Sequence, residues 1–359
     1  MRYLIYGSGA VGGLIGGRLA LAGRPVVFLA RGETALALAA RGLEVAGGAR
    51  PGHVLRPGLA HTLQQALVEW PEPGCVVLAV KAYDAAAAVE ALAAADSAWP
   101  VLSLLNGIGS DQRLDRLGPG RMIAGALTTA VQRPAPGVIQ VERERGLGLA
   151  PRAAIPPALI DDLRAAGVRV RLHRNAERMR WSKLLTNLAG NAVSAILGLP
   201  PGEALADARV FRLELEALRE AVRVMRALGL APEDLERVPV RLLTWGLRLP
   251  APLSHPLLRR AVAGGRGAKR PSLYADIGRG RSEVEWLNGA VVRAGARLGL
   301  STPANGLILR LMRGLVDGSL DPQELHGRPA ALAALAARAG VPGIRGIIPA
   351  PPGRPGARR

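Results

Sequence analysis

"YLIYGSGAVGGLIGGRLALAGRPVVFLAR", residues 3–31, decides the fold of this chain. A short apolar run, "YLIY", leads through clustered glycines into an Ala/Leu/Gly-rich segment of helical length. The chain then returns through Gly23 and Pro25 to a second apolar run, "PVVFLAR". Short unbroken apolar runs bounded by turn residues read as buried strands, and the segment between them reads as a helix. Further on, "CVVLAVKAYD" (75–84) is another apolar strand, followed by an Ala-rich helix over residues 84–95. "PVLSLLNGIG" (100–109) is the next strand, stopped at Asn106-Gly107. Residues 121–150 read as a β-rich return, with "PAPGVIQV" (134–141) a turn entering a strand. Strands alternating with helices predict a parallel, doubly wound sheet.

From about residue 173 the pattern becomes helical, over 176–197, 203–229, 233–247, 283–299 and 303–316. Residues 246–272 read as a Pro/Gly-rich connection, and "GVPGIRGIIPAPPGRPGARR" (340–359) as a disordered tail. The expected fold class is α/β: an N-terminal Rossmann-type doubly wound parallel sheet followed by an all-helical C-terminal domain. The expected domains are 1–172, 173–318 and an extension over 319–359, with the cleft between the first two as the default ligand site.

The 359 residues suffice for two ordinary cores, and the net charge of +19 raises a nucleic-acid reading. The arginines are scattered among acids and Pro/Gly loops, with no basic block interleaved with stacking aromatics. We therefore expect no nucleic-acid partner. One cysteine, Cys75, excludes an internal disulfide, and the five histidines never fall at metal-ligand spacing. No apolar run is long enough to span a membrane, and the N-terminus reads as a first strand rather than a signal peptide. A soluble cytoplasmic protein is the expectation. A homodimer is compatible with the sequence, which does not itself set the oligomeric state.

Gly7, Gly9 and Gly12 form G-x-G-x-x-G between a strand and a helix, with Ser8, Ala10 and Val11 between them. Such a turn lets backbone approach a pyrophosphate at a helix N-terminus, so this loop is the expected dinucleotide site. At the end of the second strand, NAD enzymes usually carry an acid for the ribose 2′-hydroxyl. Arg31 occupies that slot, and a guanidinium suits the 2′-phosphate of NADP. Glu33 nearby keeps NAD as the alternative.

Of 47 basic residues only Lys81, Lys183 and Lys269 are lysines. On a continuous helix Lys183, Asn187, Asn191 and Ser194 would share one polar stripe, and asparagine is a poor helix-interior residue. A lysine can lose its proton when desolvated and an arginine effectively cannot. A reductase needs an acid to protonate the alkoxide that hydride delivery creates, and an ammonium stabilises that oxyanion as it forms. Lys183 is therefore the candidate acid. Lys81 and Asn106 fall at C-terminal ends of strands, where open α/β sheets bind ligands.

With these residues in place, the chain resembles the ketopantoate reductases (2-dehydropantoate 2-reductases) over about residues 1–316. "YGSGAVGG", "VVFLARG", "AVKAYD", "LLNGIGS", "WSKLLTNLAGNAVSAILG" and "RPSLYADIGRGRSEVEWLNG" follow in the family's order. The resemblance implies NADPH-dependent reduction of 2-dehydropantoate, a 2-keto acid, to pantoate on the way to coenzyme A. It implies Lys183 as proton donor, and Asn187, Asn191 and Ser272 as substrate-binding residues. Arg31, Lys81 and Asn106 would face the cofactor, Asn106 touching substrate as well, with Glu283 an acid at the nicotinamide end. Glu283 has a second reading: Ser282 and Glu285 stand at capping-box spacing, so Glu283 would merely complement a helix N-terminus.

Three residues depart from the family pattern: Leu105 where glutamine is usual, and Pro201 and Lys269 where asparagine is common. All three belong to the substrate side. The rival readings are a reductase of another 2-keto acid and a catalytically silent NADP-binding sensor.

Overall fold

The computed structural model describes residues 1–69, 74–95, 98–110, 112–118, 120–151, 154–266 and 271–344. The tail beyond 344 and Lys269 lie outside the described residues. The chain divides into two units, Met1–Leu184 with Leu230–Val240, and Leu185–Gly229 with Arg241–Arg359. The division falls inside a helix, whereas the change in sequence pattern places it at 172/173.

Among the described residues, twelve strands build the first unit: β1 (Arg2–Tyr6), β2 (Val26–Leu29), β3 (Leu43–Ala46), β4 (Gly52–Val54), β5 (Gly58–Ala60), β6 (Gly74–Leu78), β7 (Val101–Ser103), β8 (Met122–Leu127), β9 (Ala130–Ala135), β10 (Val138–Arg143), β11 (Leu147–Pro151) and β12 (Val170–Leu172). The main sheet has the order β12-β11-β8-β7-β6-β1-β2-β5. Its centre, β7-β6-β1-β2, is parallel, as the alternation of strands and helices predicts. Within the β-rich return expected over 121–150, β11 runs antiparallel to β8. The central strands are apolar without a break because both faces are covered. Tyr3, Ile5, Phe28 and Val77 pack into one core cluster, and Leu4, Val27, Val76 and Leu78 into another.

A second sheet, β4-β3-β10-β9, has no sequence signal beyond its β9–β10 hairpin. It explains the glycines of the helix Ala10–Leu21, which packs against both sheets. A Cβ at Gly16 would lie 2.6 Å from Ile5 and Phe28 in the main sheet. One at Gly13 would lie 2.5 Å from Ile139 of the second. Arg18 on the same helix is 2% exposed and makes a two-pronged pair with Glu144 at 2.8 and 2.6 Å, the arrangement a buried guanidinium needs.

The second unit is helical, as expected, but its elements differ in detail. The helix expected over 176–197 is two: Ala176–Leu188 and Ala192–Leu197, interrupted where Gly190 takes φ +61°. A left-handed residue cannot continue a right-handed helix, and glycine adopts it without strain. The expected connection over 246–272 holds a helix, Ala251–Arg266. Pro252 lies in its first turn, where a missing N–H costs nothing, and only Pro256 is interior. Over 233–247 only Val240–Gly246 is helical. The extension carries a helix too, Pro329–Arg338, which packs on the helix Ala208–Ala227 and buries Leu332, Ala333 and Ala336. No described helix is long and apolar enough to cross a membrane.

Candidate active site

The glycine loop has the geometry that its residues require. Gly7, after β1, takes φ +111°, and a Cβ there would lie 2.7 Å from the backbone of Ala79 and Val80, between β6 and Lys81. A Cβ at Gly12 would run into the Gly7 carbonyl. At Gly9, the N-cap of the helix, a Cβ would meet nothing within 4 Å. Close packing on either side of an open position leaves room for an outside group at a helix N-terminus, and no acid stands in that first turn. Ser8 Oγ donates to the Leu29 carbonyl at 3.1 Å, tying the loop to the end of β2. Ala10 and Val11 begin the helix. The residues present therefore fit a dinucleotide pyrophosphate.

Arg31 follows β2, is exposed, and donates through Nε to the His61 carbonyl at 3.3 Å. Burial pushes the Tyr6 phenol, at the end of β1, above its ordinary pKa, and the Arg31 charge opposes this. Lys81 is exposed at the start of a short 3-10 turn after β6.

Asn106, three residues beyond β7, is half-buried, and its carbonyl accepts from Ser110 Oγ at 3.2 Å. A recess within the first unit brings Asn106 together with Gly107, Gly125, Arg180 and Lys183. Lys183 is half-buried, and Leu105 borders the same recess while its side chain is 4% exposed. Arg180 was not singled out from the sequence. It is 5% exposed and donates to Ser103 at the end of β7, to the hydroxyl at 3.1 Å and the carbonyl at 3.3 Å. In a chain so rich in arginine only its place three residues before Lys183, on the same helical face, could have marked it.

Near Lys183, His173 and Glu233 fasten the segment 230–240 to the rest of the first unit. Glu233 accepts from His173 Nδ1 at 3.0 Å, and its backbone N–H donates to Ser182 Oγ at 3.0 Å. Burial holds the His173 imidazole below its ordinary pKa, against the upward pull of Glu233.

In the second unit, Asn187 is half-buried in the last turn of the helix Ala176–Leu188. Asn191 is the N-cap of the next helix rather than a member of the same one. The expected stripe over 183, 187, 191 and 194 is therefore interrupted. Ser194 is fully buried, with no hydrogen-bond partner for its hydroxyl among the described residues. The break turns Asn191 toward different partners, since its Oδ1 accepts from Ser272 Oγ and Leu273 N–H, both at 3.4 Å.

Ser272 opens the 3-10 turn Ser272–Asp276. Asp276 at its end accepts from Ser282 Oγ at 2.9 Å and Glu283 N–H at 3.2 Å. The turn Ser272–Asp276 is thus anchored at its start to Asn191 and at its end to Ser282 and the Glu283 backbone. Glu283 is 6% exposed at the start of the turn Glu283–Glu285. Ser282 caps that turn by accepting from Val284 N–H, but Glu285 does not close a capping box. It pairs with Arg313. Pro201 is the first residue of a four-residue helix. No group of residues suited to a metal ion occurs among the described residues.

The fold and loop define a Rossmann-type α/β protein with a helical second unit. The model for ketopantoate reductase PanE/ApbA matches residues 3–152, and that for its C-terminal part matches residues 175–316. This chain belongs to the ketopantoate reductase family, a family of oxidoreductases. The 2-dehydropantoate 2-reductase of Archaeoglobus fulgidus is 29% identical over 329 residues, covering 88% of this chain and 98% of its own. That of Pyrobaculum aerophilum is 30% identical over 241 residues, 67% and 76% of the two chains. The crystal structure of a PanE/ApbA family ketopantoate reductase from Ralstonia eutropha JMP134 is 29% identical, with a TM-score of 0.74 over 89% of this chain and 99% of its own.

Proposed function

We propose that this protein reduces 2-dehydropantoate to pantoate with NADPH, in the synthesis of coenzyme A. The observation that carries the reading is the recess that holds Lys183 with Asn106 at the C-terminal end of β7. Family membership and relatives that span nearly this whole chain support it. The glycine loop would hold the pyrophosphate, and Arg31 the 2′-phosphate. The cofactor when bound supplies hydride to the keto carbon. Lys183 holds its ammonium proton for the carbonyl oxygen, stabilises the negative charge developing there and donates the proton to it. Asn106 would orient the carbonyl from the same recess, and Lys81 would face the cofactor. Asn187, Asn191 and Ser272 would bind the acid, and Glu283 would stand at the nicotinamide end.

One observation favours a second reading. Leu105 borders the recess with its side chain packed in the core, so no amide stands where the family resemblance calls for a glutamine. This suits a 2-keto acid with a more apolar substituent. Oxidation of NADPH, followed with 2-dehydropantoate and a panel of branched 2-keto acids, tests both. Fastest turnover of another acid selects the second reading, and binding without turnover of any acid rejects both.

A further inference from the structure

The family model ends at residue 316, yet the chain continues as ordered structure. Val341 is 3% exposed and Ile344 is fully buried, so this extension is part of the second unit's interior. Where it passes residues 325–327 it touches two elements already described. Gly327 N–H donates to the carbonyl of Leu197 at 2.8 Å, at the end of the helix capped by Asn191. The His326 ring lies against the next residue, Gly198, where a Cβ would come within 3.0 Å of it. The same ring stacks on Tyr274, with centroids 5.9 Å apart and planes at 26°. Tyr274 stands two residues after Ser272 in the same turn.

We propose that His326 is a positioning residue for acid binding: the extension uses it to clamp the turn that carries Ser272 onto the helix that carries Asn191. The inference rests on the proposed role of Ser272 toward the acid. The turn also packs directly against that helix, but the hydrogen bonds it makes to Asn191 at the helix start are weak. Both hydrogen bonds to Asn191 Oδ1 are 3.4 Å long, at the weak end of the range, so they do not fix the turn by themselves. His326 adds a rigid aromatic contact to each element. Its Nε2 makes no hydrogen bond among the described residues, so the ring acts through its faces. A phenyl ring can take its place.

The test is steady-state kinetics of the full chain with 2-dehydropantoate, together with hydrogen exchange of the peptide covering 271–277. His326→Ala should raise KM about tenfold with kcat within about twofold of wild type, and His326→Phe should restore KM. His326→Leu, which fills the space without a ring, should behave as His326→Ala does and serves if the alanine variant does not fold. Exchange at 271–277 should be faster in the alanine or leucine variant than in wild type, in the free protein and irrespective of turnover. An unchanged KM in an active enzyme overturns the proposal, as does a loss of kcat that parallels a general loss of stability. If wild type reduces no acid, the functional reading fails separately. Unchanged exchange at 271–277 then overturns the clamp by itself.

Discussion

Arg180 holds Ser103 by two hydrogen bonds, to the hydroxyl at 3.1 Å and the backbone carbonyl at 3.3 Å, joining the helix of Lys183 to the end of the strand that leads to Asn106. Charge-assisted bonds of this kind contribute about 1.5–3 kcal/mol when buried. Arg180→Ala should lose about that much in urea unfolding, and Ser103→Ala about 0.5–1.5 kcal/mol, since the carbonyl remains. The double variant should cost less than the sum, because both changes remove one contact. Strict additivity would show that the guanidinium–hydroxyl bond contributes nothing.

Gly9 and Gly12 make opposite demands. Gly12→Ala forces a methyl against the Gly7 carbonyl and should lower the thermal midpoint, whether or not ligand is present. Gly9→Ala meets open space, so the apo protein should melt as wild type does. Its NADPH affinity should nonetheless fall at least about tenfold, ~1.4 kcal/mol. Calorimetric titration that finds wild-type affinity in Gly9→Ala would remove the loop from the cofactor site.

Arg31→Ala should weaken NADPH about tenfold to a hundredfold and leave NADH nearly unchanged, as expected for loss of a charge-assisted bond to a 2′-phosphate. Equal wild-type affinities for the two cofactors would contradict this.

Lys183→Arg retains charge but loses a dischargeable proton. Its kcat should fall about 10²-fold or more, with NADPH affinity near wild type. A near-normal kcat would reduce the lysine to a fixed point charge.

His173 makes stability depend on pH. Its folded pKa lies below the unfolded value of about 6.5, so between the two the unfolded chain binds the proton more readily. The contribution is intact above that value and is lost as pH falls below it. The thermal midpoint of wild type should therefore drop more steeply from pH 7 to pH 5 than that of His173→Gln, which keeps a hydrogen bond to Glu233. Identical slopes would mean that the imidazole is not the sensor.

What could be read from the chain depended on how local its causes were. The loop at Gly7–Gly12 and the strand ends at Arg31, Lys81 and Asn106 were legible, because a strand stopped by turn residues is written in a few neighbours. The break at Gly190 was not, since one glycine in a helical pattern costs only about 1 kcal/mol, and tertiary packing decides whether it bends the chain. Prolines at 252 and 256 disguised a helix whose remaining residues favour it. Strands β3, β4 and β5 have three or four residues each, too few to show a period. Arg180 was hidden by sheer abundance.

The first unit is assembled from two separate stretches of chain. Residues 230–240 supply Glu233 to His173, and the Glu236 carbonyl to the hydroxyl of Thr128 at 2.9 Å. A gene cut after Leu184 would leave the buried imidazole and that hydroxyl without these partners, however well the sheet itself forms. Chimeras between relatives meet the same constraint. A donor's N-terminal half must bring its own counterpart of 230–240 into the recipient, as an eleven-residue graft inside the other half.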